Sequence, residues 1–445
     1  PGHKDFSEDT YRVLMAVDSA CMLIDVAKGV EERTKKLYEV CSYRKMPIFT
    51  FVNKLDREGK DPLTLIDDIE KTLKMQCYPV TWPLGIGDRF RGIYNRISQE
   101  VTIYDQRRED VNEVKTFPFK FPDDMEKLRE YLDDYIFNQV KDELDLIENA
   151  LPPFDVGAFL NGEISPVTFG SAKQNFGVDT FLSFFAEYAP GPQGREIKSG
   201  SVIDPMDENF TGFVFKIQAN MDRRHRDRVA FVRICSGRFE RGMKVQHNRL
   251  NRELRLSYSN QFVAAERATV DEAFAGDIVG VNDTGNFAIG DCVYVSQRAD
   301  FADIPKFAPE LFGKLSVRDA LKRQKMLEAL KHLSEEGAIQ LFYDPVIGPQ
   351  DPIIGAVGEL QFEVLMHRLA DEYNLEVKLS RLPFTVARWP KTEDGRSVSE
   401  LKGGFTIYRD LNEQPVILLN QEWDLNWASR ENPKIQFLSS VLRGK

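Results

Sequence analysis

Apolar residues recur at helical spacing near the start of the chain, at Phe6, Thr10, Val13, Leu14 and Val17, which predicts a helix from Phe6 to about Val17. The uninterrupted run Ala20 to Val26 then reads as a buried strand. A second helix is predicted over Val30 to Tyr43, and Pro47 to Val52 (PIFTFV) is a short β-branched and aromatic strand. A helix over Asp61 to Met75, a strand at Ile164 to Phe169 and a helix from Val178 to Tyr188 continue the series. Helix alternating with strand implies a parallel sheet, hence an α/β first domain over 1–200.

Between the third helix and the strand at Ile164 the pattern changes, and an insertion is expected at about 88–160. From about Asp123 to Ala150 the residues Leu128, Leu132, Ile136, Val140, Leu144 and Ile147 form one apolar stripe with acidic residues around it. That pattern predicts a helix packed on its host with a solvated face. The Gly- and Pro-rich segment Pro190 to Gly200 (PGPQGREIKSG) reads as a linker.

After the linker the period shortens to two. Phe210 to Gln218, Val229 to Cys235, Met243 to His247, Asp277 to Val281 and Asp291 to Val295 are short strands between turn residues, which predicts a β-barrel domain over 205–302. From 303 to 445, strand-like runs (Gly313 to Val317, Ala338 to Tyr343, Leu375 to Leu379, Thr385 to Trp389) alternate with helical ones (Leu321 to Glu335, Gly358 to Tyr373). An α+β domain of the split-βαβ kind follows. No repeat of fixed period and no low-complexity tract is present.

Composition narrows the class. A chain of 445 residues with 42% hydrophobic and 29% charged content needs more than one core. No apolar stretch long enough to span a membrane occurs, and the first residues have neither the basic nor the apolar region of a secretory signal. Cys21, Cys41, Cys77, Cys235 and Cys292 are widely separated, and neither they nor the five histidines show zinc-site spacing. A reduced, cytoplasmic, monomeric protein is expected. The net charge of −11 argues against indiscriminate nucleic-acid binding, so any RNA contact must come from local basic patches.

The chemistry concentrates at strand ends. Asn53-Lys54-Leu55-Asp56 follows the strand ending at Val52, at the carboxyl edge where open parallel sheets bind ligands. An ionised Asp accepts two parallel hydrogen bonds, which matches N1–H and the exocyclic amine of guanine and not the acceptor N1 of adenine. The stem of Lys54 suits the face of a base, and the amide of Asn53 suits a tie to a neighbouring strand. A polar turn ending a strand would carry the same residues. Gly170-Ser171-Ala172-Lys173 follows the strand ending at Phe169 and precedes a helix, so backbone amides of Ser171, Ala172 and Lys173 can approach the O6 of the same base. Pro1-Gly2-His3 lies just before the first helix, where the Gly2 amide suits a terminal phosphate and His3 suits an attacking water.

Together, in this order, Pro1-Gly2-His3, Asn53-Lys54-Leu55-Asp56 and Ser171-Ala172-Lys173 resemble the third, fourth and fifth guanine-nucleotide motifs of the translational GTPases. Trp82-Pro83-Leu84-Gly85, the segment Phe210 to Gly237 and the segment Ala356 to Asn374 are similar to the release factor 3 branch of that superfamily, and the resemblance runs essentially end to end. It implies a ribosome-stimulated GTPase that promotes departure of a class I release factor after peptide release. GTP or GDP and Mg2+ would be its cofactors, and the ribosome and a class I release factor its partners.

The chain departs from that pattern in one respect: nothing in it matches G-x-x-x-x-G-K-[ST], and the Asp and Thr expected before Pro1 are not in the sequence. Those parts cradle phosphates and hold Mg2+. The sequence is therefore expected to be part of a longer gene product, with most metal ligands upstream, and a polypeptide beginning at Pro1 to bind GTP poorly. The run Arg223-Arg224-His225-Arg226-Asp227-Arg228 is expected in a turn between two barrel strands, where Arg223, Arg224, Arg226 and Arg228 can meet ribosomal RNA phosphates. Two alternatives share much of this pattern, an elongation factor G relative or ribosome-protection GTPase and a non-catalytic ribosome-binding scaffold.

Overall fold

The computed structural model describes residues 7–104, 114–219, 228–256, 259–263, 266–269, 271–301, 308–392, 396 and 398–438. The chain divides into two compact units, one of Val17–Gly191 and one joining Pro1–Ala16 to Pro192–Lys445. Helix α1, Ser7–Ala16, opens the chain and belongs to the second of these.

In the unit Val17–Gly191, strand β1 (Ala20–Asp25), helix α2 (Glu32–Tyr43), strand β2 (Ile48–Asn53), helix α3 (Pro62–Leu73) and strand β3 (Gln76–Pro79) alternate as the sequence predicts. Four further strands follow, β4 (Thr81–Leu84), β5 (Gly92–Asn95), β6 (Glu100–Tyr104) and β7 (Val114–Pro118), then helices α4 (Asp134–Ala150) and α5 (Val156–Leu160), strand β8 (Ile164–Phe169) and helix α6 (Val178–Tyr188). The main sheet is parallel, in the order β1-β2-β8-β3. Every β2 residue but the last is buried, as a strand covered on both faces should be. Phe49 on β2 meets Phe159 of α5 and Phe184 and Phe185 of α6 at ring distances of 4.8, 6.0 and 4.9 Å. The buried hydroxyls of this layer are paired: Thr50 Oγ1 lies 2.7 Å from Ser165 Oγ, which donates to the Ile48 carbonyl.

The insertion carries a structure the periodicity does not show. Strands β4 to β7 form an antiparallel meander. The expected continuous helix from about Asp123 is a 3-10 segment, Met125–Glu130, followed by α4. The break has a local cause, because the Asp133 carboxylate accepts the Ile136 amide at 2.9 Å and starts a new helix there. All six stripe residues are nonetheless buried. The fully buried Trp82 donates its indole N–H to Glu143 Oε2 of α4 at 2.8 Å, tying meander to helix.

In the other unit, an eight-stranded antiparallel sheet curls around a core of Val214, Ile217, Val232, Ile234, Val279, Val281 and Val293. It includes the strands Thr211–Ala219, Arg228–Ser236 and Ile278–Asn282. The C-terminal α+β part has an eight-stranded sheet with helices α7 (Arg323–Glu335), α8 (Glu359–Asp371) and α9 (Glu422–Glu431). Met326, Leu330 and Leu333 of α7 and Phe362, Leu365 and Leu369 of α8 share one core. All five cysteines are free.

Candidate functional site

The parallel register sets Asp25 at the end of β1 directly beside Asn53 at the end of β2. On the other side of β2, strand β8 ends at Phe169, next to Val52. The loops that leave β2 and β8 therefore start side by side, and the hydrogen bonds between them show how they are joined.

Asn53 Oδ1 accepts two amides, that of Lys54 at 2.8 Å and that of Ala172 at 2.9 Å. The Ser171 hydroxyl, fully buried, donates to Asp56 Oδ1 at 2.5 Å. The backbone adds a third link, Leu55 N–H to the Gly170 carbonyl at 3.1 Å. Asn53, Lys54 and Asp56 are thus brought together with Ser171, Ala172 and Lys173. Gly170 has to be glycine, because a Cβ there would lie 2.2 Å from the Phe176 carbonyl oxygen.

Lys54 adopts a left-handed backbone (φ 72°), unusual for a side chain with a Cβ. Its ammonium group reaches Asp25 Oδ2 at 2.7 Å. Burial works to raise the Asp25 carboxyl, but the Lys54 ammonium and the amides of Ala27 and Lys28 outweigh it, and the group titrates below its ordinary value. Asp56 Oδ2 has only Arg57 Nε near it among the described residues, at 3.9 Å. One edge of that carboxylate is anchored, and hydrogen-bonding capacity remains on the other.

Sequence reasoning missed the buttress beneath the loops. The Tyr104 hydroxyl of β6 accepts the Gly177 amide at 2.9 Å, and the Tyr104 ring packs against Phe176 at 4.7 Å and Phe90 at 6.0 Å. Burial pushes this hydroxyl up to about 12, so it remains protonated. On the other loop, the Gly87 amide donates to the Leu55 carbonyl at 2.8 Å. The meander thus holds both loops. Asp25 was also missed, although an acidic residue ending the strand next to β2 was a readable signal.

Gly2, His3, Arg223, Arg224 and Arg226 lie outside the described residues. Arg228 is described, and its guanidinium group is engaged within the protein. It donates to Glu335 Oε2 and to the Phe287 carbonyl, both at 2.8 Å, and its Nε lies 2.6 Å from Asp283 Oδ2. The last approach is off hydrogen-bond alignment and acts as a charge contact. Among the described residues no three His, Cys, Asp or Glu side chains gather into a group that could hold a metal ion. None of the described helices is long and apolar enough to cross a membrane.

Comparison with known proteins gives the family. Residues 1–191 match the family model of the elongation factor Tu GTP binding domain, residues 209–296 that of elongation factor G domain 2, and residues 301–429 that of the class II release factor RF3, C-terminal domain. A peptide chain release factor 3 from Symbiobacterium thermophilum is 47% identical over 441 residues, covering 99% of this chain and 83% of that protein. One from Microcystis aeruginosa is 44% identical over 442 residues, covering 99% and 80%. A crystal structure of a Thermus thermophilus protein shares the fold with a TM-score of 0.64 at 22% identity, covering 92% of this chain and 61% of that one. The chain belongs to the peptide chain release factor 3 family, the ribosome-dependent GTPases of translation termination.

Proposed function

We propose that this GTPase promotes the dissociation of class I release factors from the ribosome after peptide release, and that the loops after β2 and β8 read guanine as one unit. The observation that carries the reading of the base is the double tie between those loops, Asn53 to Ala172 and Ser171 to Asp56. Ser171 orients the Asp56 carboxylate, whose remaining capacity accepts N1–H and the exocyclic amine. Within the second loop the amides of Ser171, Ala172 and Gln174 are committed to Phe176, Asn53 and Ser171. The Lys173 amide has no partner among the described residues, and we assign it to guanine O6. Lys54, pinned at its tip by Asp25, presents its stem to the base.

Gly2 and His3 are the residues we assign to the terminal phosphate and the attacking water, because catalysis of phosphoryl transfer is mostly positioning and charge stabilisation. Mg2+ would neutralise phosphate charge when bound, and most of its protein ligands are expected upstream of Pro1. Arg223, Arg224 and Arg226 are the proposed ribosomal RNA contacts, and the protein acts as a cytoplasmic monomer.

The test follows a labelled class I release factor leaving ribosomes halted at a stop codon, with the full-length protein and either GTP or no nucleotide. Faster departure with GTP is expected. Unchanged departure, while the ribosome still stimulates hydrolysis, would refute release-factor recycling and favour an elongation-type role.

A further inference from the structure

The loop after β8 is a closed cap. Ser171 and Phe176 exchange both backbone hydrogen bonds, each at 2.9 Å, so residues 171–176 turn back on themselves. The Gln174 amide reaches Ser171 Oγ at 3.3 Å across the same cap. A cap closed in this way moves as a body, and the direction of its Lys173 amide depends on how its two ends are held.

The Ser171 end is held by the loop after β2, through Asp56, Asn53 and Leu55. The Phe176 end is held by the meander. The rings of Tyr104, Phe90 and Phe176 are all buried and close on one another, with Phe90 and Phe176 5.5 Å apart. The Tyr104 hydroxyl oxygen accepts the Gly177 amide at 2.9 Å. Gly177 is the N-cap of α6, left-handed at φ +67° and without a side-chain capping bond. A Cβ there would lie 2.5 Å from the Phe169 carbonyl oxygen, so no larger residue fits. The phenol oxygen therefore takes the N-cap amide that a capping-box side chain takes in other helices. Without the hydroxyl that amide is buried with no acceptor, and the chain next to Phe176 must shift to satisfy it.

We propose that Tyr104 is a positioning residue for guanine recognition: its ring and hydroxyl fix the Phe176 end of the cap so that the Lys173 amide meets O6. Asp56 reads N1–H and the exocyclic amine from the other loop. This rests on the assignment of the Lys173 amide to O6 and of Asp56 to the amine. Tyr104 acts through Phe176 and Gly177, so its loss should blunt the reading of O6 and spare the reading of the amine.

The experiment titrates the full-length wild type, Tyr104→Phe, Phe90→Leu and Arg96→Met with GDP, inosine diphosphate and 6-thioguanosine diphosphate, and records each melting temperature. The inosine nucleotide keeps O6 and lacks the amine. The thio nucleotide keeps N1–H and the amine and puts a weak sulfur acceptor in place of O6. Tyr104→Phe is expected to weaken GDP binding about tenfold, the scale of one hydrogen bond left unmade. Its preference for GDP over the thio nucleotide should shrink, with the preference for GDP over inosine diphosphate as in the wild type. Phe90→Leu keeps the hydroxyl and loosens the ring stack, so the same preference should shift the same way by less. Arg96→Met unties the meander from Glu148 of α4, away from the cap, and should lower the melting temperature with both preferences kept. An unchanged thio preference in Tyr104→Phe, a fall in both preferences together, or an equal change in Arg96→Met overturns the positioning role and leaves Tyr104 a packing residue. A wild type that binds GDP and the thio nucleotide alike overturns the Lys173 assignment, and the proposal with it.

Discussion

At the carboxyl end of the parallel sheet Lys54 pairs with Asp25 at 2.7 Å, with side chains 44% and 16% exposed. At the junction with α7 Arg228 pairs with Asp283 at 2.6 Å, with side chains 14% and 0% exposed. The distances match and the surroundings differ, so the pairs have different work to do. The first lies beside hydrogen-bonding capacity that no described residue fills, on Asp56 and on the Lys173 amide. The second joins Glu335 and the Phe287 carbonyl around one guanidinium group. A binding site keeps unused capacity near water, whereas a joint between structural parts turns its charges on one another.

That contrast can be broken or sharpened by substitution. The largest change in stability is expected from Asp283→Ala, which leaves Arg228 buried without its nearest carboxylate. Removing one partner of a buried pair costs about 3 kcal/mol, read as a lower denaturant midpoint of the barrel unfolding transition. A shift no larger than that of a surface substitution would mean that the junction is not a joint. Ser171→Ala comes next: it frees the Asp56 carboxylate to rotate and should weaken GDP binding by roughly 1–2 kcal/mol, with melting temperature almost unchanged. Equal losses of stability and affinity would make Ser171 a packing residue.

Asp25→Asn should have a smaller effect, about 1 kcal/mol or less, because the pair is partly solvated and screened. Its pH dependence gives the sign. The folded carboxyl titrates below its ordinary value, so its contribution is present above the unfolded pKa of about 4 and is lost as pH falls through the folded value. The difference between wild type and Asp25→Asn should shrink on acidification below pH ~4. A difference that widened instead would reverse the assigned cause.

Smallest, and of opposite sign, is Glu143→Gln. Burial pushes this carboxyl up, against the hydrogen bonds from Gln139 and Trp82. A raised carboxyl stabilises the fold least once ionised, so a neutral amide that still accepts the Trp82 N–H should leave stability at neutral pH unchanged or slightly higher, by about 0.5 kcal/mol. A clear loss at neutral pH would show that the charge itself is needed.

Much of the candidate site's local structure was legible in the sequence because its parts are local. β8 and α6 run over the residues the periodicity predicts, and Asn53 to Asp56 and Ser171 to Lys173 each follow directly on a recognisable strand. The meander was hidden because its strands are four or five residues long and β4 contains a proline, so neither length nor alternation marks it. Tyr104 and Phe90 look like ordinary core aromatics until the fold sets them under the loop at Phe176. The junction at α7 is less readable still: Arg12 donates to the carbonyl of Glu336, 324 residues away, and an arginine in an amphipathic helix reads as solvated. Arg228 was no more readable, since nothing in a basic run that reads as an RNA contact shows that its last member faces Asp283 and Glu335.

The claim that the two loops form one guanine reader is tested most directly by the nucleotide preference of the full-length Asp56→Asn protein, titrated with GDP and with xanthosine diphosphate. Replacing an acceptor by an amide donor should cost roughly 3 kcal/mol of GDP affinity while raising affinity for the xanthine nucleotide, whose base offers an acceptor where guanine has its amine. Retained preference for GDP would contradict the account and leave Asp56 as no more than the anchor of Ser171.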